Sequence, residues 1–302
     1  MIQRLGPRGT GVVASLALVA MTASWGSTFF LIKDLLDRVP TLDFLAVRFA
    51  IASLALLAVA PRALGRLSRE SRRHAVVLGL LYGLAQILQT AGLAHTPASV
   101  SGFVTGMYVV LTPIFAAVLL RTRITALTWL AVALATTGLW VLTVQGGLTM
   151  GYGESLTLVG AALYALHIVG LGAWSRPEEA MGMSIVQLIV IAVVCGLATA
   201  PDGVVLPSTT ADWGSMLYMA LVAGAAAIFV QTWAQAHLPP TRSAIIMSME
   251  PVFAALFAVW FGGESLTSRL LTGGLLVLAA MLVVELAPRR RKIEGEVTHL
   301  TV

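Results

Sequence analysis

The chain has 302 residues, of which 58% are hydrophobic and 11% charged, with a mean hydropathy of +0.90 and a formal net charge of +5. A soluble domain carries about one quarter charged residues, so a water-facing globule of this length is excluded. The basic excess lies between apolar runs rather than on an amphipathic face, which argues against a nucleic-acid partner, and a single cysteine, Cys195, excludes an intrachain disulfide or a CxxC site.

A helix that crosses the hydrocarbon core needs about 20 mostly apolar residues. Ten such runs are predicted, at 11–32, 41–60, 75–93, 99–119, 125–143, 154–173, 182–200, 213–236, 242–262 and 268–287. The first follows Arg4 and Arg8 as a signal peptide would, but it is as long as the others and reads as an uncleaved span. The breaks hold Pro40, Pro61, Pro97, Gly146-Gly147, Pro177, Pro201, Pro207, Pro239-Pro240 and Gly262-Gly263. No break is long enough for an extramembrane domain, so function must reside within the membrane. With the N-terminus in the cytoplasm, 15 of the 19 basic residues fall on inner segments. Only Lys33, Arg38 and Arg269 fall outside, while Arg48 lies within a span. Basic residues favour the cytoplasmic side, which predicts a multi-pass protein of the cytoplasmic (inner) membrane with both termini inside.

The two halves resemble each other. Gln89-Thr90, Ala94-His95 and Pro97 precede Gln231-Thr232, Ala236-His237 and Pro239 by a constant 142 residues. Earlier in each half the shift is about 139, placing Trp25 on Tyr164 and Arg48 on Gln187. Five spans per half is an odd number, so the halves enter the membrane from opposite sides, an arrangement common in secondary transporters. The expected fold is therefore all-α, with ten transmembrane helices as two inverted five-helix repeats, 11–143 and 154–287, around a central cavity. Residues 1–10 and 288–302 would be cytoplasmic tails. Inversion also sends His95 and His237 to opposite faces, so they cannot share a metal.

Polar groups in hydrocarbon must face protein or a water-filled cavity. On span 4, Ser101, Thr105, Tyr108 and Thr112 recur at steps of four, three and four, one helix face. The matching face of span 9 is Ser243, Met247, Glu250 and Ala254. Span 3 adds Tyr82, Gln86 and Gln89; span 8 adds Gln231 and Gln235; span 1 adds Trp25 and Phe29; span 6 adds Thr157, Tyr164 and His167. Spans 5 and 10 show few polar residues and are expected to serve as scaffold or dimer surface. Arg48, seven residues into span 2, either snorkels to the outer interface beside Asp43 or serves as a pocket cation. Glu250, mid-span and before Pro251, can bind a substrate amine or exchange protons. Glu264 and Glu285, near span ends, are expected to be interfacial. The candidate substrate-binding set is Trp25, Arg48, Gln86, Gln89, Thr105, Tyr108, Tyr164, His167, Gln187, Gln231 and Glu250, with Glu250 as the candidate for proton coupling.

On Trp25-Gly26-Ser27-Thr28-Phe29, Arg48-Phe49, the run from Gly102 to Pro113, Glu250-Pro251-Val252-Phe253 and Gly262-Gly263-Glu264, the chain resembles the EamA group of the drug/metabolite transporter superfamily. The likeness covers roughly 11–287. It departs at Tyr164-Ala165, where the group often has Trp-Ala, and at Arg121-Thr122-Arg123, which lacks the Gly-Glu of the second half. The resemblance implies a ten-helix carrier, with spans 1–4 and 6–9 around the cavity, that exports amino acids, related metabolites or drugs. There is no GxxxxGK[ST] loop for ATP and no cofactor or metal motif. The expected function is therefore secondary transport of a small polar molecule by alternating access. Two other classes stay open, a passive channel and an intramembrane lipid-modifying enzyme, although the dispersed acids and short loops do not form an enzyme site. Beyond substrate and membrane lipids, a monomer and a homodimer are both compatible with the sequence.

Overall fold

A computed structural model of the protein describes residues 7–119, 126–143, 150–201, 203–238 and 246–286. These residues form helices and short connections, with no strand among them. Helices α1 (Pro7–Leu36), α2 (Thr41–Val59), α3 (Arg69–Ala94), α4 (Ala98–Gly106), α5 (Tyr108–Leu119) and α6 (Ala126–Thr143) make the first half. The second contains α7 (Tyr152–Trp174), α8 (Ala180–Thr199), α9 (Thr210–Ala220), a π-helical turn (Leu221–Ala226), α10 (Ala227–His237), α11 (Glu250–Trp260) and α12 (Ser268–Leu286). Seven segments are long and apolar enough to cross a membrane, with α4–α5 and α9–α10 each counted as one; three shorter apolar helices lie at Trp129–Leu142, Glu250–Trp260 and Ser268–Val283.

Local chemistry sets the helix ends. Ser68 caps α3 by accepting the Ser71 amide, and Thr209 caps α9 by accepting that of Asp212. Pro40 and Pro97 stand just before α2 and α4, where the first amides need no intrahelical partner. Glu264 is not a free interfacial acid as expected. The connection between α11 and α12 turns through Gly263 at φ 71°, a backbone that glycine adopts without strain. Glu264 then accepts the Ala98 amide at 2.6 Å and the Ser99 hydroxyl, capping α4 from the other half of the chain. The Glu285 side chain, Ser243, Pro239-Pro240, residues 1–6 and the whole predicted C-terminal tail lie outside the described residues, while residues 7–10, expected in the N-terminal tail, already belong to α1.

The distribution of polarity is that of a membrane protein. Leu54, Leu197, Trp260 and Leu275 are exposed on the outside, while Thr22, Arg48, Gln86, Gln89, Gln187, Gln231 and Glu250 are buried. Lipid supplies no hydrophobic drive between helices, so contact depends on close backbone approach. Helix α3 lies along α7, and α6 along α12. The first seam is built on Gly92, Gly153 and Gly160, and a Cβ at Gly92 would meet Gly153 O at 2.5 Å. Gly92→Leu is accordingly expected to force α3 from α7 and cost about 2 kcal/mol. In detergent this should appear as a lowered unfolding midpoint, whereas Gly172→Leu, with open space around it, should leave the midpoint in place.

Candidate functional site

Helices α1, α2, α3, α4–α5, α7, α10 and α11 converge on one cavity. Of the side chains selected from sequence, Trp25, Arg48, Gln86, Gln89, Thr105, Tyr108, Tyr164, His167, Gln231 and Glu250 all line it. Gln187 does not. It lies fully buried behind His167, its Oε1 2.7 Å from His167 Nε2 and its Nε2 donating to Met183 O. This geometry puts the imidazole proton on Nε2 when the ring is neutral. The 139-residue shift pairs Gln187 with Arg48 in sequence, but of the two only Arg48 lines the cavity, and Gln187 holds a lining residue from behind. Among the described residues, none of α6 or α12 appears in the lining.

Arg48 neither snorkels nor uses Asp43, which instead accepts the Val205 amide. The guanidinium is 2% exposed. Its Nε donates to Met219 O at 3.1 Å and its Nη2 to Ala223 O at 3.4 Å, with the Phe44 and Phe49 rings 5.7 and 5.2 Å away. Ala223 O also accepts the Trp25 indole N–H at 2.9 Å. Ala223 lies within the π-helical turn, and a π turn shifts the backbone ladder so that carbonyls become available to outside donors. Backbone dipoles thus hold this guanidinium, the one buried arginine among the described residues.

Glu250 sits on the other wall. Pro251 has no N–H, so Met247 O loses the helical donor four residues on. Tyr108 Oη fills that vacancy at 3.2 Å and donates to Glu250 Oε2 at 2.9 Å. Helix α11 reaches this point because the residues facing it are small. A Cβ at Gly26 on α1 would fall 2.8 Å from Ala254 N, and one at Gly106 on α4 would fall 2.8 Å from the Pro251 ring. Predicted span 4 is therefore not one smooth helix. It breaks at Met107, beside Tyr108, as the second half does at Ser248-Met249, beside Glu250.

Between these charges lies a neutral hydrogen-bonding wall. Tyr164 Oη donates to Gln89 Oε1 at 2.8 Å, and Gln89 Nε2 donates to Thr105 Oγ1 at 3.0 Å. Gln86 Nε2 donates to Tyr82 Oη at 3.1 Å, and the Tyr82 ring lies 5.6 Å from Tyr164 and 5.2 Å from His167. The amide oxygens of Gln86 and Gln231 are buried without a hydrogen-bond donor among the described residues. The space between the walls, counted with what opens beyond them, is about 500 Å³, but only about 40 Å³ admits a water-sized body. That is room for a few waters. Sequence reasoning left Tyr82, Thr28 and Met247 out of the site set, although all three line it. Trp25, Thr28, Phe29 and Ile32 follow one helix face at steps of three, one and three, a period that was readable in α1.

Polar contacts join the helices differently at the two ends of the bundle. At the α1–α2 end, Arg38 Nη2 binds Asp34 at 2.6 Å and Asp212 at 2.7 Å, and Lys33 Nζ donates to Thr96 O at 2.7 Å. At the opposite end, Glu179 accepts the Ser68 amide at 3.1 Å and the Ser71 hydroxyl at 2.6 Å. The Ser71 hydroxyl and the Ser68 amide hold the Glu179 carboxyl below its ordinary range.

Known proteins resemble this chain. The chain is 29% identical over 277 residues to an uncharacterized transporter of Archaeoglobus fulgidus, covering 90% of this chain and 86% of that protein. It is 26% identical to the uncharacterized inner membrane transporter YedA of Escherichia coli K12, covering 88% and 89%. To a probable terminal-alkyne amino-acid exporter of Streptantibioticus cattleyicolor it is 26% identical, covering 92% and 95%. One protein crystal structure superposes with a TM-score of 0.66 at 18% identity, over 90% of this chain and 96% of that one, a likeness of fold alone. The model of the EamA-like transporter family matches residues 12–144 and again 151–286, and with those two matches spanning its helices, this multi-pass membrane protein belongs to the EamA-like transporter family.

Proposed function

We propose that the protein is a secondary transporter that exports a small zwitterion, an amino acid or a close relative, by alternating access across the cytoplasmic membrane. One observation carries this reading. Arg48 and Glu250 line the same cavity, yet neither makes an ion pair among the described residues. Each charge is held instead by uncharged groups. Unpaired charges in a low-dielectric interior are costly, and a ligand with both a carboxylate and an ammonium group offsets both costs at once. The free amide oxygens of Gln86 and Gln231 suit an ammonium donor, and the tyrosines suit an apolar side chain. The likeness to a probable amino-acid exporter supports the same substrate class and the outward direction.

Ten spans in two inverted repeats, 11–143 and 154–287, are the frame we propose for this cycle. Packing supports it: α2 lies on α8, α6 on α12 and α4 on α11, each pairing equivalent helices, while α3 on α7 is matched by α1 on α10. Tyr108 and Glu250, 142 residues apart, are themselves equivalent and bonded to each other. The two closures are equivalent too, each joining an interhelical connection to the capped N-terminus of α3 or α9. With the Arg-rich ends inside, the Arg38 closure faces outward and the Glu179 closure inward. The narrow cavity requires one closure to part before a substrate can lodge.

Counterflow into liposomes tests the substrate class. Internal unlabelled amino acid should accelerate uptake of labelled amino acid, and simple amines or carboxylic acids should not; equal flux of all three would reject the zwitterion. Arg48→Gln should weaken substrate binding by about 30-fold or more, the loss expected of a buried charged contact.

Proton coupling is assigned to Glu250. Glu250→Gln should abolish accumulation driven by a pH gradient while exchange at saturating substrate persists, and an unchanged gradient response would reject that role.

The closures are separable by labelling a single cysteine placed at Thr105 in a Cys195→Ala background. Asp212→Asn should raise its reaction with an impermeant thiol reagent from outside by several-fold, and Glu179→Gln should do so from inside. Because the Glu179 carboxyl is held low, the inner closure should persist through neutral pH and loosen only on acidification below the ordinary carboxylate range.

A further inference from the structure

A second cavity, remote from the first, opens at the end of α2. It has about 380 Å³ of space for water-sized bodies and is bounded by Val59, Arg62, Arg66, Glu178 and Met181. Its floor is rigid. Arg66 belongs to a short 3-10 turn, Leu64–Arg66, and Arg72 Nη2 donates to Leu64 O to tie that turn to α3. Gly182 lets α8 pass under the loop, since a Cβ there would fall 2.8 Å from Ala63 O. Arg62 and Arg66 are exposed and make no ion pair among the described residues. Above the cavity, Leu54 and Val59 present 64% and 75% exposed apolar side chains along α2, the surface an acyl chain would follow.

We infer that this cavity binds the head group of an anionic phospholipid of the phosphatidylglycerol type, with its phosphodiester on Arg62 and Arg66 and its acyl chains along α2. Charge decides among lipids. Two guanidinium groups and the Glu178 carboxylate leave the lining at +1, which one phosphodiester neutralises. Glu178 can then accept a glycerol hydroxyl. A choline head offers no donor to Glu178, and an ethanolamine head, being neutral overall, leaves the +1 in place. Basic recesses between helices at the cytoplasmic interface are suited to such head groups.

Purified full-length protein in detergent is titrated with dioleoyl-phosphatidylglycerol, dioleoyl-phosphatidylethanolamine or dioleoyl-phosphatidylcholine, and bound lipid is counted by native mass spectrometry. One phosphatidylglycerol per chain should bind about fivefold more tightly than phosphatidylcholine, as expected from about 1 kcal/mol for the one net positive charge of the lining. Arg62→Gln with Arg66→Gln should erase that preference, and Arg62→Lys with Arg66→Lys should keep most of it. Arg73→Gln, on the same end but outside the lining, should change it less than twofold. Equal loss with Arg73→Gln, or none with the double Gln variant, would overturn the site. Tighter binding of phosphatidylethanolamine would overturn the charge argument, and full displacement by millimolar glycerol 3-phosphate would assign the cavity to a soluble anion.

Discussion

The hydrogen bond from Tyr108 to Glu250 is the contact on which the arrangement of the cavity rests. A carboxylate buried at the start of an apolar helix needs a donor, and so does the Met247 carbonyl that Pro251 deprives of its helical partner. One hydroxyl serves both. It does so from the equivalent position of the other half, where α4 gives way to α5. The bond therefore joins two helix interruptions, and any motion that separates α5 from α11 must leave a carboxylate and a carbonyl without donors.

Close backbone approach makes that contact reachable. Gly26, Gly102 and Gly106 line the track of α11, and larger side chains there would push Glu250 out of reach of Tyr108. The glycines of these motifs thus act through packing, while the aromatic residues beside them, Trp25 and Tyr108, face the cavity. Arg48 is managed by a different device. The last turn of α9 and the π-helical turn each lend a backbone carbonyl to a guanidinium that makes no ion pair among the described residues, and the same Ala223 carbonyl accepts the Trp25 indole N–H. Movement of α9 against α10 would consequently reach both residues together.

Much of the site was legible in the sequence because a bilayer penalises buried polarity so heavily that each intramembrane Gln, Tyr, Arg or Glu needs a reason to be there. Helical spacing then selected faces: Thr105 and Tyr108 on one, Gln86 and Gln89 on another. The same logic failed where polarity alone was ambiguous. Gln187 and His167 both read as lining, and only the packing of α8 on α2 and α3 turns the glutamine into a hydrogen-bond partner of the ring. Glu264 read as an interfacial acid because its partner amides are more than 160 residues away in the chain.

Composition and hydropathy by themselves determined that the chain is helical and lies in a membrane, since no other solvent accommodates so few charges over such long apolar runs. The 142-residue echo likewise marked Tyr108 and Glu250 as counterparts before any contact was visible. Only the tertiary structure decided that Arg48 is held by carbonyls rather than by an acid, and that helices break beside Tyr108 and Glu250. Those outcomes depend on which backbone groups are left unpaired and which distant side chain can reach them, and neither quantity is encoded in a local pattern.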